Sequence, residues 1–198
     1  SEFINIAEET GLIIDLGLFV MDRTARQLAQ WQSTLRSRSS LFASVNVSSR
    51  QLLRHDLIHD LRTVLSRHAV ARGTMKLELT ESLVMENPEH AAQMLQRIKE
   101  LGTGLSLDDF GTGYSSLSYL QAFPFDKIKI DKSFVQSIGR TEQATTIIRA
   151  VIGLCRGLGI PVIAICGCLG DGYAAVHAAG LAAVVPVAHG FFDPDDPS

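Results

Sequence analysis

Five residues carry most of the chemistry this sequence offers. Asn46, Glu78, Asp108 and Asp109 are oxygen donors, and Lys129 adds a single cation. Neutral and anionic oxygens in such a set suit a hard divalent cation, Mg²⁺ or Mn²⁺. Three carboxylates gathered without a cation would repel one another, and at least one would be driven to keep its proton. A metal removes that conflict. Two ions a few ångströms apart would activate a water and steady the leaving oxygen of a phosphodiester. Lys129 would then hold the attacking water or balance phosphate charge. A plainer reading stands beside this one, in which Asp108-Asp109 caps the following helix and Lys129 pairs with an acid.

What brings these residues together is a series of short apolar strands alternating with helices. A helical period runs through Gly11–Arg38, carried by Ile14, Leu18, Met21, Ala25, Leu28 and Leu35. Strands are predicted at Leu41–Val47, Met75–Leu79, Leu105–Asp108, Lys127–Ile130 and Ile160–Ala164. Between them, Ser48 or Ser49 caps a helix carrying Leu52 to Leu65, Asn87-Pro88 opens a second, and Glu142–Gly157 forms a long third. Such a series makes a largely parallel sheet.

Side-chain parity decides between an open sheet and a barrel. Val45 and Val47 share one face of their strand and Asn46 takes the other. Leu77 and Leu79 face away from Glu78, and Leu105-Ser106-Leu107-Asp108 and Lys127-Ile128-Lys129-Ile130 repeat the scheme. A sheet covered on both faces would not tolerate that polar side. The mouth of a (β/α)8 barrel, where the carboxyl ends of the strands converge, would use it. The expected fold is therefore α/β, a TIM-like barrel.

Other features are weaker. The loop Gly111-Thr112-Gly113-Tyr114-Ser115-Ser116 would present backbone N–H groups to an anion, but it lacks phosphate-loop spacing, and a tight turn explains it as well. His55 and His59 stand four apart without the H-E-x-x-H pattern and are read as solvent-facing. Cys155, Cys166 and Cys168 form no paired zinc spacing and fit buried thiols in a reducing cytoplasm. A net charge of -3 argues against a nucleic-acid polymer as partner. The first residues lack the pattern of a signal peptide. The most apolar stretches, Ile160–Gly170 and Ala178–Ala188, fall short of the ~20 residues of a membrane span.

With these residues in view the chain resembles the EAL domain family. The resemblance is carried by Phe3-Ile4 with Ala7-Glu8 and Gly11-Leu12-Ile13, by Asn46-Val47-Ser48, and by Glu78-Leu79-Thr80-Glu81-Ser82. It continues through Asp108-Asp109-Phe110-Gly111-Thr112-Gly113-Tyr114-Ser115-Ser116-Leu117 and Lys129-Ile130-Asp131-Lys132-Ser133-Phe134. It implies one EAL-type domain over residues 1–198, family-like through 2–164. It also implies a barrel that binds cyclic di-GMP and hydrolyses one phosphodiester to linear pGpG with Mg²⁺ or Mn²⁺. By the same resemblance Asn46, Glu78, Asp108 and Asp109 are metal ligands, Asp109 serving a second ion, and Lys129 assists the catalytic water. Glu81 is the glutamate that anchors the loop starting at Asp108, and the segment 109–117 serves homodimer contacts. GGDEF or sensory domains often accompany such a domain in a parent protein.

Two departures from the family pattern shape the expectation. The Glu-Ala-Leu strand, whose glutamate is a metal ligand, is absent from this chain. Where the family has Glu-Gly-Val-Glu-Thr, the chain reads Ile165-Cys166-Gly167-Cys168-Leu169, with no carboxylate. Residues 165–198 form a divergent tail in which His189-Gly190-Phe191 is the nearest counterpart of a family Gln-Gly-Tyr. These gaps predict impaired hydrolysis. The alternative is a non-catalytic cyclic-di-GMP-binding module, or a dimerisation or scaffold module.

Overall fold

The computed structural model describes residues 2–34, 41–53, 56–111, 117–131, 133, 142–166 and 184–186. The chain divides into two compact units, Ser1–Ile128 and Lys129–Ser198.

The first unit opens with α1 (Glu2–Thr10) and the long α2 (Ile13–Thr34). The buried stripe of α2 is Ile13, Gly17, Met21, Ala25 and Leu28. Its C-terminal half is the predicted one. At the N-terminal end Ile13 and Gly17 replace Ile14 and Leu18, because a side chain from elsewhere fills the space over the glycine. A Cβ on Gly17 would lie 1.8 Å from Gln51 Nε2. Hydrophobic periodicity cannot see a glycine acting as a socket. Leu35 and the rest of the predicted helix end lie outside the described residues.

Strand β1 (Ala43–Asn46) is followed by α3 (Ser49–Leu52) and α4 (Leu57–His68), where the sequence predicts one helix. Leu52 and Leu57 are both buried. Five residues apart, they would sit about 140° out of phase on a continuous helix, so two helices bury what one could not. Ser48 caps α3 with a full capping box, its side chain accepting from the Gln51 N–H and the Gln51 side chain accepting from the Ser48 N–H. Helix α4 ends on Ala69 in the left-handed conformation. It is tied back to α2 by Arg67 and His68, both within 3.0 Å of Asp22 Oδ1.

Next come β2 (Met75–Thr80), α5 (Glu81–Glu86), α6 (Pro88–Glu100) and β3 (Gly104–Phe110). Helix α6 begins as predicted, with Asn87 Oδ1 accepting from the His90 N–H at 3.2 Å and Pro88 in the first turn. The short α5 escapes the sequence reading because six residues are too few for a periodic signal. Strands β1, β2 and β3 stand in chain order and pair in parallel. Their outward residues Val45, Leu77, Leu79, Leu105 and Leu107 are buried with Leu61, Leu95 and Ile98 in the core. After α7 (Leu117–Ala122) the chain returns through Asp126, whose Oδ2 accepts from the Leu105 N–H at 2.8 Å while Lys99 holds its other oxygen.

Strand β4 (Lys127–Ile130), as predicted, carries the chain into the second unit. There α8 (Glu142–Gly157) buries Ile148, Ile152 and Cys155 along one stripe. Strand β5 is Val162–Cys166, two residues later than predicted, because the Ile160 N–H is still engaged by Cys155 O at 2.9 Å and Pro161 follows. Strand β6 (Val184–Pro186), not predicted, pairs with β5 in parallel. Among the described residues no helix is long and apolar enough to cross a membrane.

Candidate metal and phosphate site

The site is built by register. Asn46 on β1 is the partner of Glu78 on β2, and Glu78 is the partner of Ser106 on β3. Register partners in a parallel sheet project to the same face, so an amide, a carboxylate and a hydroxyl form one row across three strands. One step toward the carboxyl ends, Thr80 partners Asp108. One step the other way Ser44, Lys76 and Gly104 are aligned, and a Cβ on Gly104 would come within 2.8 Å of Lys76 Cγ. The lysine stem therefore floors the row. Lys76 Nζ lies 3.9 Å from the centre of the Phe42 ring.

Each side chain has a local reason for its place. The Val47 N–H reaches Glu78 O at 2.9 Å, so pairing continues past Asn46 and fixes its height against Glu78. Glu78 is buried, Asp108 half-buried, and Asn46 and Asp109 exposed. Strand alternation would send Asp109 to the side of Leu105 and Leu107. Asp109 instead has φ of 53°, a left-handed conformation that breaks the alternation and leaves it in solvent. The Asp109 N–H donates to Asp108 Oδ1 at 2.9 Å. Asp108 thus steadies the backbone beside it.

Glu81 is the first residue of α5, set there by Thr80, whose hydroxyl accepts from the Leu83 N–H. Its side chain is 2% exposed, and Oε2 accepts from the Gly111 N–H at 2.8 Å. Gly111 has φ of 104°, a conformation open to glycine and costly to other residues. Residues 112–116, and with them most of the predicted phosphate loop and dimer segment, lie outside the described residues. Lys129 belongs to the second unit, half-buried on β4 between buried Ile128 and Ile130. His59 is exposed and His55 lies outside the described residues, as do Cys168 and His189-Gly190-Phe191. Cys155 is a buried free thiol.

Among the described residues no group of three or more His, Cys, Asp or Glu side chains could hold a metal. The donors that are assembled, one amide and two carboxylates on adjacent strands, suit an ion of one kind. Mg²⁺ keeps much of its water and takes one or two carboxylates besides substrate phosphate. The donor set fits such an ion and would be poor for zinc, which prefers nitrogen and sulfur.

The EAL domain model matches residues 1–166. The chain belongs to the EAL domain family. An uncharacterized signaling protein of Caulobacter vibrioides is 47% identical to this EAL domain over 163 residues, covering 82% of the chain and 19% of that protein. The cyclic di-GMP phosphodiesterase PdeR of Escherichia coli is 40% identical over 163 residues, 82% of the chain and 24% of PdeR. This EAL domain thus spans about a fifth to a quarter of the length of these curated relatives. Among solved structures, the PaMucR phosphodiesterase in complex with c-di-GMP superposes with a TM-score of 0.87 at 30% identity, covering 93% of this chain and 74% of that one. The fold is accordingly the α/β, TIM-like barrel type that the strand and helix series predicts.

Two positions in this EAL domain were not singled out from sequence as parts of the site. Gln51, 5% exposed, locks the turn after Asn46 from inside. The capping pattern of Ser48 with Gln51 was its available signal. Ser106 completes the row with Asn46 and Glu78, yet its Oγ has no hydrogen-bond partner among the described residues. Parity alone placed it on the polar face.

Proposed function

We propose that this chain is a metal-dependent cyclic-di-GMP phosphodiesterase domain, hydrolysing one phosphodiester to linear pGpG with reduced turnover. The single observation that carries this reading is the register of Asn46 with Glu78, one step below Asp108, in a chain of the EAL family. The names of PdeR and of the PaMucR complex support the same substrate. Residues 1–198 are read as one EAL-type domain whose tail from residue 165 is divergent.

In this reading Asn46, Glu78 and Asp108 hold Mg²⁺ or Mn²⁺, and Asp109 serves a second ion. Bound there, the metal supplies charge to balance the phosphate oxygens and to acidify a water. Lys129 orients the attacking water through its ammonium. The water oxygen joins phosphorus, the bond from phosphorus to the ribose 3′ oxygen breaks, and the water's proton ends on that oxygen. Glu81 does not touch the substrate; it holds Gly111 and thereby the loop leaving Asp109. The carboxylate-free run Ile165-Cys166-Gly167-Cys168-Leu169 is what reduces turnover. In a longer parent protein the segment 109–117 would serve a homodimer, GGDEF or sensory domains would accompany it, and the domain would work in the cytoplasm.

The test is a calorimetric titration of cyclic di-GMP into the chain, first with Ca²⁺ and then with Mg²⁺, with products separated by chromatography. Binding with slow pGpG formation only in Mg²⁺ is the expected result. Binding without any product would make the chain a receptor for the nucleotide. No heat in either metal would remove both the substrate and the enzyme from the reading.

A further inference from the structure

We propose that Ser106 is a positioning residue for Glu78, its hydroxyl and the Glu78 carboxylate sharing one ordered water that fixes the carboxylate for its metal. The inference rests on the reading of Glu78 as a metal ligand. Ser106 is 1% exposed and its Oγ has no partner among the described residues. A buried hydroxyl without a partner is costly, and such groups are usually satisfied by an ordered water. Position decides which water. Ser106 and Glu78 are register partners, and neighbouring strands run about 4.8 Å apart, a gap that one water spans between a hydroxyl and a carboxylate. Below, the Lys76 stem packs over Gly104 and closes the floor. Above, Asp108 shares the face of Ser106, while Leu105 and Leu107 turn to the core. The neighbours of Ser106 on this face, Glu78 and Asp108, are therefore polar groups, as a bridging water requires.

The molecule contains its own control. Thr103 is also 1% exposed, and its Oγ1 also lacks a partner among the described residues. It precedes β3 in the parity of Leu105 and Leu107, outside the row. If a buried orphan hydroxyl were only a defect of packing, the two residues would behave alike.

The experiment titrates Mn²⁺ into the native chain and into Ser106→Ala, Thr103→Val and Glu78→Gln, reading free Mn²⁺ by paramagnetic resonance and Tm without metal. Supporting groups around metal ligands typically change affinity by about 10–100-fold. Ser106→Ala should weaken Mn²⁺ binding by about tenfold or more, with Tm unchanged or raised, while Thr103→Val leaves Mn²⁺ binding as it is. Ser106→Ala within about twofold of the native affinity, with Glu78→Gln impaired, would overturn the role of Ser106 and leave the metal reading standing. Native chain and Glu78→Gln taking up Mn²⁺ alike, or not at all, would overturn the metal reading and this inference with it. Should Ser106→Ala fail to fold, Ser106→Cys, similar in size and a weak donor, carries the same comparison.

Discussion

The Glu81 carboxylate, at the start of α5, accepts a hydrogen bond from the backbone N–H of Gly111 at the end of β3, 2.8 Å away. The contact joins two successive strand ends through a buried charge, and it fixes where the chain leaves Asp109. A buried charged hydrogen bond of this kind contributes more than a neutral one, and losing its acceptor strands the donor. Glu81→Ala should therefore lower unfolding free energy by about 1–3 kcal/mol. Glu81→Gln, which keeps an acceptor oxygen, should recover more than half of that. Urea unfolding of the three proteins measures it, and equal stabilities of the alanine and native chains would show the contact to be idle.

Gly17 and Gln51 make a second coupled pair. With an alanine at 17 the new Cβ would occupy the position of the Gln51 amide, and Gln51 would have to leave the capping box it forms with Ser48. Gly17→Ala should cost about 1–3 kcal/mol, the usual range for overpacking, despite the better helix propensity of alanine. A thermal melt of this variant that matches or exceeds the native Tm would refute the account.

The Asp22 carboxyl is held below the usual carboxylate range, chiefly by its hydrogen bond with His68, with Arg67 adding to it and burial opposing. A carboxyl whose pKa is depressed by folding stabilises the native state above its unfolded pKa, and that contribution is lost as pH falls through the folded value. Asp22→Asn should therefore be less stable than the native chain near pH 7, by less than about 1 kcal/mol since the group is partly exposed. The difference should shrink to nothing in acid, below the carboxylate range. A gap that persists or widens in acid would mean that packing, not charge, sets it.

Burial pushes the Cys155 thiol up, so it stays protonated at neutral pH and has little thiolate to react. Iodoacetamide at pH 8 should leave Cys155 unmodified in the native chain and alkylate it in urea. Peptide mass mapping distinguishes it from Cys166 and Cys168, and rapid native labelling at Cys155 would contradict the packing of α8.

Much of this arrangement was legible in the sequence. The alternation in β1, β2 and β4 located Asn46, Glu78 and Lys129 on polar faces, and the strands appear within about two residues of their predicted limits. What escaped had physical causes. Gly17 matters through the absence of a side chain, which no hydrophobic pattern registers. The break between α3 and α4 follows from a phase conflict between Leu52 and Leu57 that a list of apolar positions conceals. Asp109 leaves the strand parity through a backbone angle that its residue type tolerates and does not announce. Ser106 looked like one more small polar residue, because only the register of three strands shows what stands beside it.

That register has a consequence for how the chain tolerates changes of length. Asn46, Glu78 and Ser106 are far apart in sequence and meet only because three strands pair in this register. Adding a residue in the exposed turn at 71–73 lengthens a surface connection and leaves the row intact. Deleting one residue between Met75 and Glu78 would turn Glu78 toward the helices and bring Leu79 into the row. Insertions and deletions should thus be silent outside the strands and abolish the site within them, even where every named side chain is kept.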